Sequence, residues 1–146
     1  MKRFKEPNLY PLISKYFQNK DFYTLTNFRP FEKSYSRVDI LAVDKTLSKI
    51  ISVEVKLNNF SKALKQAIAR SFFSDYVYLA FPSKYAKTVL NKYSQILNCT
   101  NIGILSINKY VSELKPPGPS PLLIPDLKNL ILTTIKRKVS ITDKCG

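Results

Sequence analysis

The stretch RVDILAVDKTLSKIISVEVKL, residues 37–57, decides the fold of this chain. It contains two runs rich in β-branched and other apolar residues, Arg37–Asp44 and Lys49–Leu57, separated only by Lys45–Ser48. Runs of this length and composition predict strands, and so short a connection predicts that the two strands pair antiparallel. The other elements are expected to be arranged around this hairpin.

Helical and strand patterns alternate on both sides of the hairpin. Before it, the spacing of apolar residues predicts a helix over Leu9–Phe17, and alternation predicts a strand over Phe22–Phe28. After it we expect a helix capped by Ser61, a strand, a second helix and another strand, over Ser61–Phe73, Asp75–Phe81, Ser83–Leu97 and Ile102–Ile107. A meander followed by helical crossovers predicts an α/β fold, with a mixed central sheet flanked by helices on both faces.

The chain changes character at Pro116–Pro121 (PPGPSP), which predicts a stiff linker. Residues 1–115 then form the core domain, and residues 122–146 form a C-terminal helix with a basic tail. The apolar side of this helix needs a partner, either the core or a second subunit. Docking on the core is favoured because it needs no second molecule. The apolar residues at helical spacing are Leu123, Leu127, Leu130, Ile131 and Ile135.

The charge of the chain restricts its function. Its 146 residues include 24 Lys and Arg against 10 Asp and Glu, a net charge of +14. Such an excess attracts polyanions, of which nucleic acid is the most common, although a solvated basic surface is the alternative. No run is long enough to span a bilayer and no signal-peptide core follows the basic N-terminus, so we expect a cytoplasmic protein without a membrane partner.

The absence of histidine excludes several kinds of site. A Ser-His-Asp triad, a Cys-His dyad and every histidine-based zinc site are ruled out. The two cysteines, Cys99 and Cys145, are isolated in the sequence. Any bound metal must therefore be a hard ion held by oxygen ligands, which points to Mg²⁺ or Mn²⁺.

The second strand of the hairpin carries charged residues where a central strand should be apolar. Alternation places Ser52, Glu54 and Lys56 on one face. Counting outward from the middle of the connection places Asp39 opposite Glu54, with β-carbons about 5 Å apart. Two carboxylates at this distance repel each other unless a cation binds between them. The alternative is a set of cross-strand ion pairs on a solvated face.

These parts predict a site for phosphodiester hydrolysis. Asp39, Glu54 and the carbonyl of Val55 are the predicted metal ligands. A bound divalent ion would neutralise charge on the transition state and acidify the attacking water. Lys56 could orient that water or stabilise the developing negative charge.

The chain resembles the PD-(D/E)XK nuclease superfamily over roughly residues 1–108. The motif residues are Asp39 on one strand and the Glu54-Val55-Lys56 triplet on the next, although Val38 stands where the family name has proline. The resemblance implies a restriction-endonuclease-like α-β-β-β-α-β core and a Mg²⁺-dependent endodeoxyribonuclease. Within the superfamily, the chain is most similar to the archaeal Holliday junction resolvases and related small archaeal or viral nucleases.

This subgroup implies further features. Glu6 matches an additional metal ligand, and Gln66 matches a catalytic glutamine on the helix after the lysine. Ser34 or Ser36 matches a serine before the first acid, and a homodimer acting on duplex or branched DNA is expected. Gln66 is equally well a surface residue, because the predicted apolar stripe leaves it on the outer side with Arg70. That stripe consists of Leu64, Ala67, Ile68 and Ser71.

Basic residues flank the acidic cluster along the chain and are predicted to contact phosphates. Two other functions fit the same residues: a non-catalytic DNA- or RNA-binding module of the same fold, and an RNA-processing nuclease. The predicted contacts are Arg3, Lys5, Lys33, Arg37, Lys62, Lys65 and Arg70.

Overall fold

The chain forms a six-stranded sheet with helices on both of its faces. The computed structural model describes residues 5–31 and 36–145, with side chains through Lys138. The elements in chain order are α1 (Glu6–Gln18), β1 (Phe22–Phe28), β2 (Val38–Asp44), β3 (Ile50–Val55), α2 (Phe60–Ser71), β4 (Tyr76–Pro82), α3 (Ser83–Lys92), α4 (Ser94–Thr100), β5 (Gly103–Ile107), β6 (Val111–Lys115) and α5 (Pro125–Cys145).

The strands are neighbours in the order in which they occur in the sequence, from β1 to β6. The first three form an antiparallel meander, β3, β4 and β5 are parallel, and β6 returns antiparallel to β5. Crossovers through α2 and through α3–α4 join the parallel strands, as parallel pairing requires. The predicted mixed α/β fold and the α-β-β-β-α-β order of its first six elements are confirmed.

The sheet is covered unequally on its two faces. On one face, α1 packs through Leu9, Ile13 and Phe17 against residues of the central strands such as Ile40 and Val53. The helices α2, α3 and α5 cover the other face in two adjoining apolar clusters. The strand β3 is therefore buried at every position. Any charged side chain on this strand must be satisfied inside the protein.

Several predicted boundaries differ from the structure. The helix α2 begins at Phe60, and its cap is Asn59, whose side chain accepts the N–H of Lys62 at 3.3 Å, so the assignment of Ser61 as cap is wrong. Asn59 adopts a positive φ of 65°, which asparagine tolerates better than most residues. The single helix predicted over Ser83–Leu97 is two helices that meet at Tyr93, whose ring stacks on Phe60 with centroids 4.0 Å apart.

The strand β6 was not predicted. Its sequence VSELK is largely polar because it is an edge strand that is at best partly buried. The helix α1 also starts earlier than expected, at Glu6, because Pro7 in its first turn lacks only an N–H that has no helical partner there.

The C-terminal helix packs back on the core, as favoured from its sequence. Ile131, Leu132 and Ile135 lie in the apolar cluster that β2 and β3 share. Polar contacts of Asp75 support this docking. Asp75 accepts hydrogen bonds from the Ile50 N–H of β3 at 2.8 Å and from the Lys128 ammonium of α5 at 2.9 Å. Within the described residues, no helix combines the length and the apolar character needed to cross a bilayer.

The connection between β2 and β3 is organised by one carboxylate. Asp44 Oδ1 accepts the N–H groups of Ser48 and Lys49 at 2.7 and 2.9 Å. Partial burial opposes ionisation of Asp44, but hydrogen bonds from Thr46, Lys49 and Ser48 outweigh it and lower its pKa to about 2. This turn fixes the register of the hairpin, and the register in turn places the acidic residues at its far end.

We expect Asp44→Ala to lower the free energy of unfolding by about 1–2 kcal/mol, because two backbone donors lose their acceptor. The folded pKa lies below the ordinary value of 3.8, so the carboxylate contributes its full stabilisation above about pH 4 and loses it as the pH falls towards 2. Urea unfolding of wild type and Asp44→Ala at pH 7 and pH 3 measures the difference between their free energies of unfolding. The difference between wild type and variant should shrink at pH 3; an equal difference at both pH values would contradict the assignment.

Candidate active site

The register of the hairpin brings two acids together where β2 and β3 separate. The last paired residues at this end are Ile40 and Val53. One step further along both strands, beyond the last residues paired in the register, lie Asp39 and Glu54. The carboxylates interact, because the charge of Asp39 contributes to the raised pKa of Glu54. The predicted juxtaposition of Asp39 and Glu54 is present.

Asp39 is held from two directions. Its Oδ2 accepts the backbone N–H of Val55 at 2.7 Å, and its Oδ1 accepts the hydroxyl of Tyr10 on α1 at 2.7 Å. Burial and the negative charges of Asp39, Glu6 and Glu54 raise the Tyr10 pKa well above its ordinary value, so the phenol stays protonated as a donor. These two bonds fix the orientation of the Asp39 carboxylate.

Glu54 lies on the other side, facing α2. It is only 1% exposed, and its Oε1 accepts Nε of Arg70 at 2.6 Å. Burial raises the Glu54 pKa, the charge of Asp39 raises it further, and Arg70 lowers it, leaving a pKa of about 8. One arginine therefore compensates only part of the cost of burying Glu54 next to a second acid.

The second oxygen of Glu54 is the unusual feature of this site. Glu54 Oε2 is buried and receives no hydrogen bond from the described residues. Buried polar atoms without a partner are rare, and each calls for an explanation. A small cation would satisfy this oxygen and cancel the repulsion from Asp39. The donor set therefore fits a hard divalent ion.

A third oxygen is available from the backbone at the same place. The N–H and C=O of one strand residue point to the same neighbouring strand, so the Val55 carbonyl is expected to point to the side of Asp39. Among the described residues, however, no group of three or more Asp, Glu or Cys side chains comes together as a metal site. Glu6 thus does not join the Asp39–Glu54 pair, and its role as a ligand stays a prediction.

Lys56 lies one residue beyond the end of β3 and its side chain reaches α1, whereas Glu54 faces α2, so the prediction that the two side chains share one face is wrong. Its Nζ is 3.8 Å from Oε2 of Glu6 on α1. Its side chain is 13% exposed, which leaves the ammonium near the surface but largely enclosed. The backbone N–H of Lys56 donates to the Ala80 carbonyl at 3.0 Å and fixes the residue beside β4.

The structure corrects the assignment of Arg70. Its guanidinium was predicted to contact phosphates, but the residue is 3% exposed and its donors are engaged inside the protein. Besides Glu54, it donates to the Ser36 hydroxyl at 2.7 Å and to the Arg37 carbonyl at 2.9 Å. The buried side of α2 is the side of Ala63, Ala67 and Arg70, because these residues follow the helical repeat.

Gln66 lies one turn before Arg70 on α2 and is half-buried, and its Oε1 has no partner among the described residues. Gln66 is therefore partly enclosed, and both its catalytic role and the surface alternative stay predictions. The other predicted phosphate contacts also stay predictions, because no described contact tests them. Arg3, Lys33 and Ser34 lie outside the described residues; Lys5, Arg37, Lys62 and Lys65 are exposed.

Two residues of the site were missed in the sequence, Tyr10 and the buried Arg70. A signal existed for each. Glu6, Tyr10 and Ser14 recur every four residues along α1 and form a polar stripe on a helix that otherwise packs on the sheet. On α2, the small residues Ala63 and Ala67 indicate a side that approaches the sheet closely, and Arg70 lies on that side.

Comparison with known proteins supports the fold alone. No family model matches the chain, and no curated protein matches it. Among solved structures, it is similar to a protein of unknown function from Silicibacter pomeroyi, with a TM-score of 0.67 and 16% identity over 99% of this chain and 97% of that one. A repair endonuclease from Pyrococcus abyssi is similar at a TM-score of only 0.43 and 17% identity, over 74% of this chain and 49% of that one.

Proposed function

We propose that this chain is a metal-dependent endonuclease that hydrolyses phosphodiester bonds in DNA. The single observation that supports the proposal most strongly is that the buried Glu54, beside the partly buried Asp39, has one carboxylate oxygen lacking any described donor. A protein that only binds DNA has no need for two neighbouring acids, one of them buried, since they repel the phosphates it binds. Two acids that hold a cation explain the arrangement.

The proposed ligands are Asp39, Glu54 and the carbonyl of Val55, and the ion is Mg²⁺ or Mn²⁺. When bound, such an ion supplies Lewis-acid stabilisation of the phosphate and a more acidic water. Glu6 is kept as a further candidate ligand. Its neighbour in the structure is Lys56, so its first effect is to hold that ammonium in place.

The remaining residues have roles that follow from their contacts. Lys56 lies next to Glu6 on the α1 side, and its proposed role is to stabilise negative charge that develops on the phosphate or to orient the attacking water. Tyr10 and Arg70 act through other residues: the first orients Asp39, and the second holds Glu54. Gln66 is proposed to assist at the α2 side of the site. The net charge of +14 favours capture of a polyanion.

The direct test is a cleavage assay with linear duplex DNA, single-stranded DNA, a four-way junction and RNA, each with Mg²⁺, Mn²⁺ or EDTA. Wild type is compared with Asp39→Asn and with Asp126→Asn, which makes the same change at an exposed carboxylate of α5. We expect metal-dependent cleavage of DNA by wild type and by the control. Asp39→Asn should lower the rate by about a hundred-fold or more, because a proposed metal ligand loses its charge.

Each other outcome supports a different function. Cleavage that persists in EDTA or in Asp39→Asn refutes the proposed site. Binding without cleavage under all conditions favours a non-catalytic DNA- or RNA-binding module, and cleavage restricted to RNA favours an RNA-processing nuclease. Selective cutting of the junction, together with a dimer in light scattering, would support a resolvase-like enzyme.

A further inference from the structure

Two cavities lie side by side along α1, outside the acid pair. One has a volume of about 460 Å³ and is lined by Leu9, Lys84 and Lys109 among others. The second has a volume of about 380 Å³ and is lined by Leu12, Lys15, Tyr16, Lys109 and Tyr110 among others. Because they share Lys109 and adjoining residues of α1, we treat them as one surface and call it the α1 groove.

The α1 groove begins next to the candidate active site. Its residues on α1 follow a single stripe, since Leu9, Leu12 and Tyr16 are spaced by three and four residues. Glu6, the partner of Lys56, lies on α1 three residues before Leu9. The opposite wall includes Pro82, two residues beyond the carbonyl that accepts the Lys56 N–H. A chain that leaves the acid pair on the side of Lys56 therefore enters this groove.

The lining combines positive charge with exposed apolar and aromatic surface. Three lysines line the groove, and no acidic residue is among the described residues that line it. Tyr110 is 76% exposed and Leu12 is 38% exposed. A fourth ammonium, that of Lys20, lies 5.0 Å from the centre of the Tyr16 ring. Cations beside exposed aromatic rings are the combination with which proteins bind unpaired bases and their backbone phosphates.

We propose that the α1 groove binds a single strand of nucleic acid that extends from the candidate active site. The proposal rests on the proposed function, because only then does a nucleic-acid strand start at the acid pair. A duplex buries the faces of its bases and offers mainly phosphates, so the apolar floor and Tyr110 would have no partner. An apolar polypeptide would match the apolar lining residues, such as Leu9 and Leu12, but would leave Lys15, Lys84 and Lys109 without counter-charges.

The experiment measures binding and does not depend on cleavage. A fluorescein-labelled oligo(dT) and a duplex of the same length are titrated with the full chain in EDTA, at several salt concentrations, and anisotropy gives Kd. Lys109→Ala is matched with Lys87→Ala, because both remove one exposed lysine and only Lys109 lines the groove. Tyr110→Ala is matched with Tyr110→Phe, which keeps the ring.

We expect Lys109→Ala and Tyr110→Ala to weaken binding of the single strand about five-fold or more, and Lys87→Ala and Tyr110→Phe by less than about two-fold. Lys109→Ala should also reduce the dependence of log K on log salt by about 0.7. Duplex binding should change little in Tyr110→Ala. Circular dichroism verifies that the variants are folded, and both groove positions are on the surface.

The proposal is overturned if both groove variants bind the single strand as tightly as their matched controls; the groove would then suit an apolar polypeptide. It is also overturned if the groove variants lose the same affinity for duplex as for single-stranded DNA. The lysines would then attract any nucleic acid through their charge, without selecting a single strand. Failure of the proposed function gives a different result: wild type would bind the single strand but would not cleave DNA. If Tyr110→Ala binds the single strand more weakly but still cleaves a short substrate, the result would support both the proposed nuclease activity and the proposed role of the α1 groove.

Discussion

Glu54→Gln is expected to lower DNA cleavage by about a thousand-fold or more without unfolding the protein. Glutamine has the same size and keeps an oxygen that can accept the Arg70 Nε–H, which Oε1 accepts at 2.6 Å in the native chain. It removes the negative charge that faces Asp39, and with it one of the proposed metal ligands. The matched control is Glu113→Gln on β6, which changes a glutamate outside the site.

The same variant tests the electrostatics of the pair through its pH dependence. The Glu54 pKa of about 8 lies above its ordinary value of 4.5, so between these values the folded state holds a proton that the unfolded state has released. The stability of the metal-free wild type should therefore decrease as the pH rises from about 4.5 to 8. Glu54→Gln should lack this decrease, because glutamine does not titrate.

Thermal unfolding at pH 5 and pH 8, with and without Mg²⁺, measures both effects. Mg²⁺ should raise the Tm of wild type more at pH 8 than at pH 5, since the ion competes with a proton at pH 5. It should change the Tm of Glu54→Gln little at either pH. Parallel pH profiles for the two proteins, or an equal response to Mg²⁺, would show that Glu54 does not hold an ion.

Arg70→Met is expected to have the largest effect on stability, about 3–5 kcal/mol of unfolding free energy. Methionine fills most of the space of the arginine but leaves Glu54 as a buried acid with no cationic partner. The acceptors on Ser36 and Arg37 also lose the guanidinium, which donates to them at 2.7 and 2.9 Å. Chemical denaturation at pH 9, above the Glu54 pKa of about 8, measures the loss.

Two comparisons separate this effect from a general weakening of α2. Lys65→Met makes a similar change on the exposed side of the same helix and should cost less than about 0.5 kcal/mol. Combining Arg70→Met with Glu54→Gln should recover part of the loss at pH 9, because glutamine cannot ionise and needs no cationic partner, and a double-mutant cycle at that pH measures the coupling. Additive effects in the cycle would contradict a direct ion pair.

The hairpin and its acid pair could be predicted from sequence because they depend on local rules. The side-chain alternation of β2 and β3 and the short turn at Asp44 determine which residues lie opposite each other. The register Ile40–Val53 follows from that turn, and Asp39 and Glu54 follow from the register. No knowledge of the rest of the molecule is needed to place the two acids side by side.

The surroundings of the pair could not be predicted in the same way. Tyr10 and Arg70 reach the acids from helices on opposite faces of the sheet, and Arg70 was assigned to the outer side of α2. A helical repeat identifies residues that share a side, but an arginine beside alanines is compatible with either side until its partner is known. The strand β6 was missed for a related reason, since an edge strand need not be apolar.

The sequence by itself determined an α/β chain with a mixed sheet, a strongly positive charge and two facing carboxylates, because strand period, helix period and turn length are properties of neighbouring residues. Only the tertiary structure decided that Glu54 is buried against Arg70, that Asp39 is held by Tyr10, and that α1 forms a groove with residues at the ends of β4 and β5. These features depend on how the helices rotate and cross over the sheet, and contacts between residues distant in sequence determine that packing.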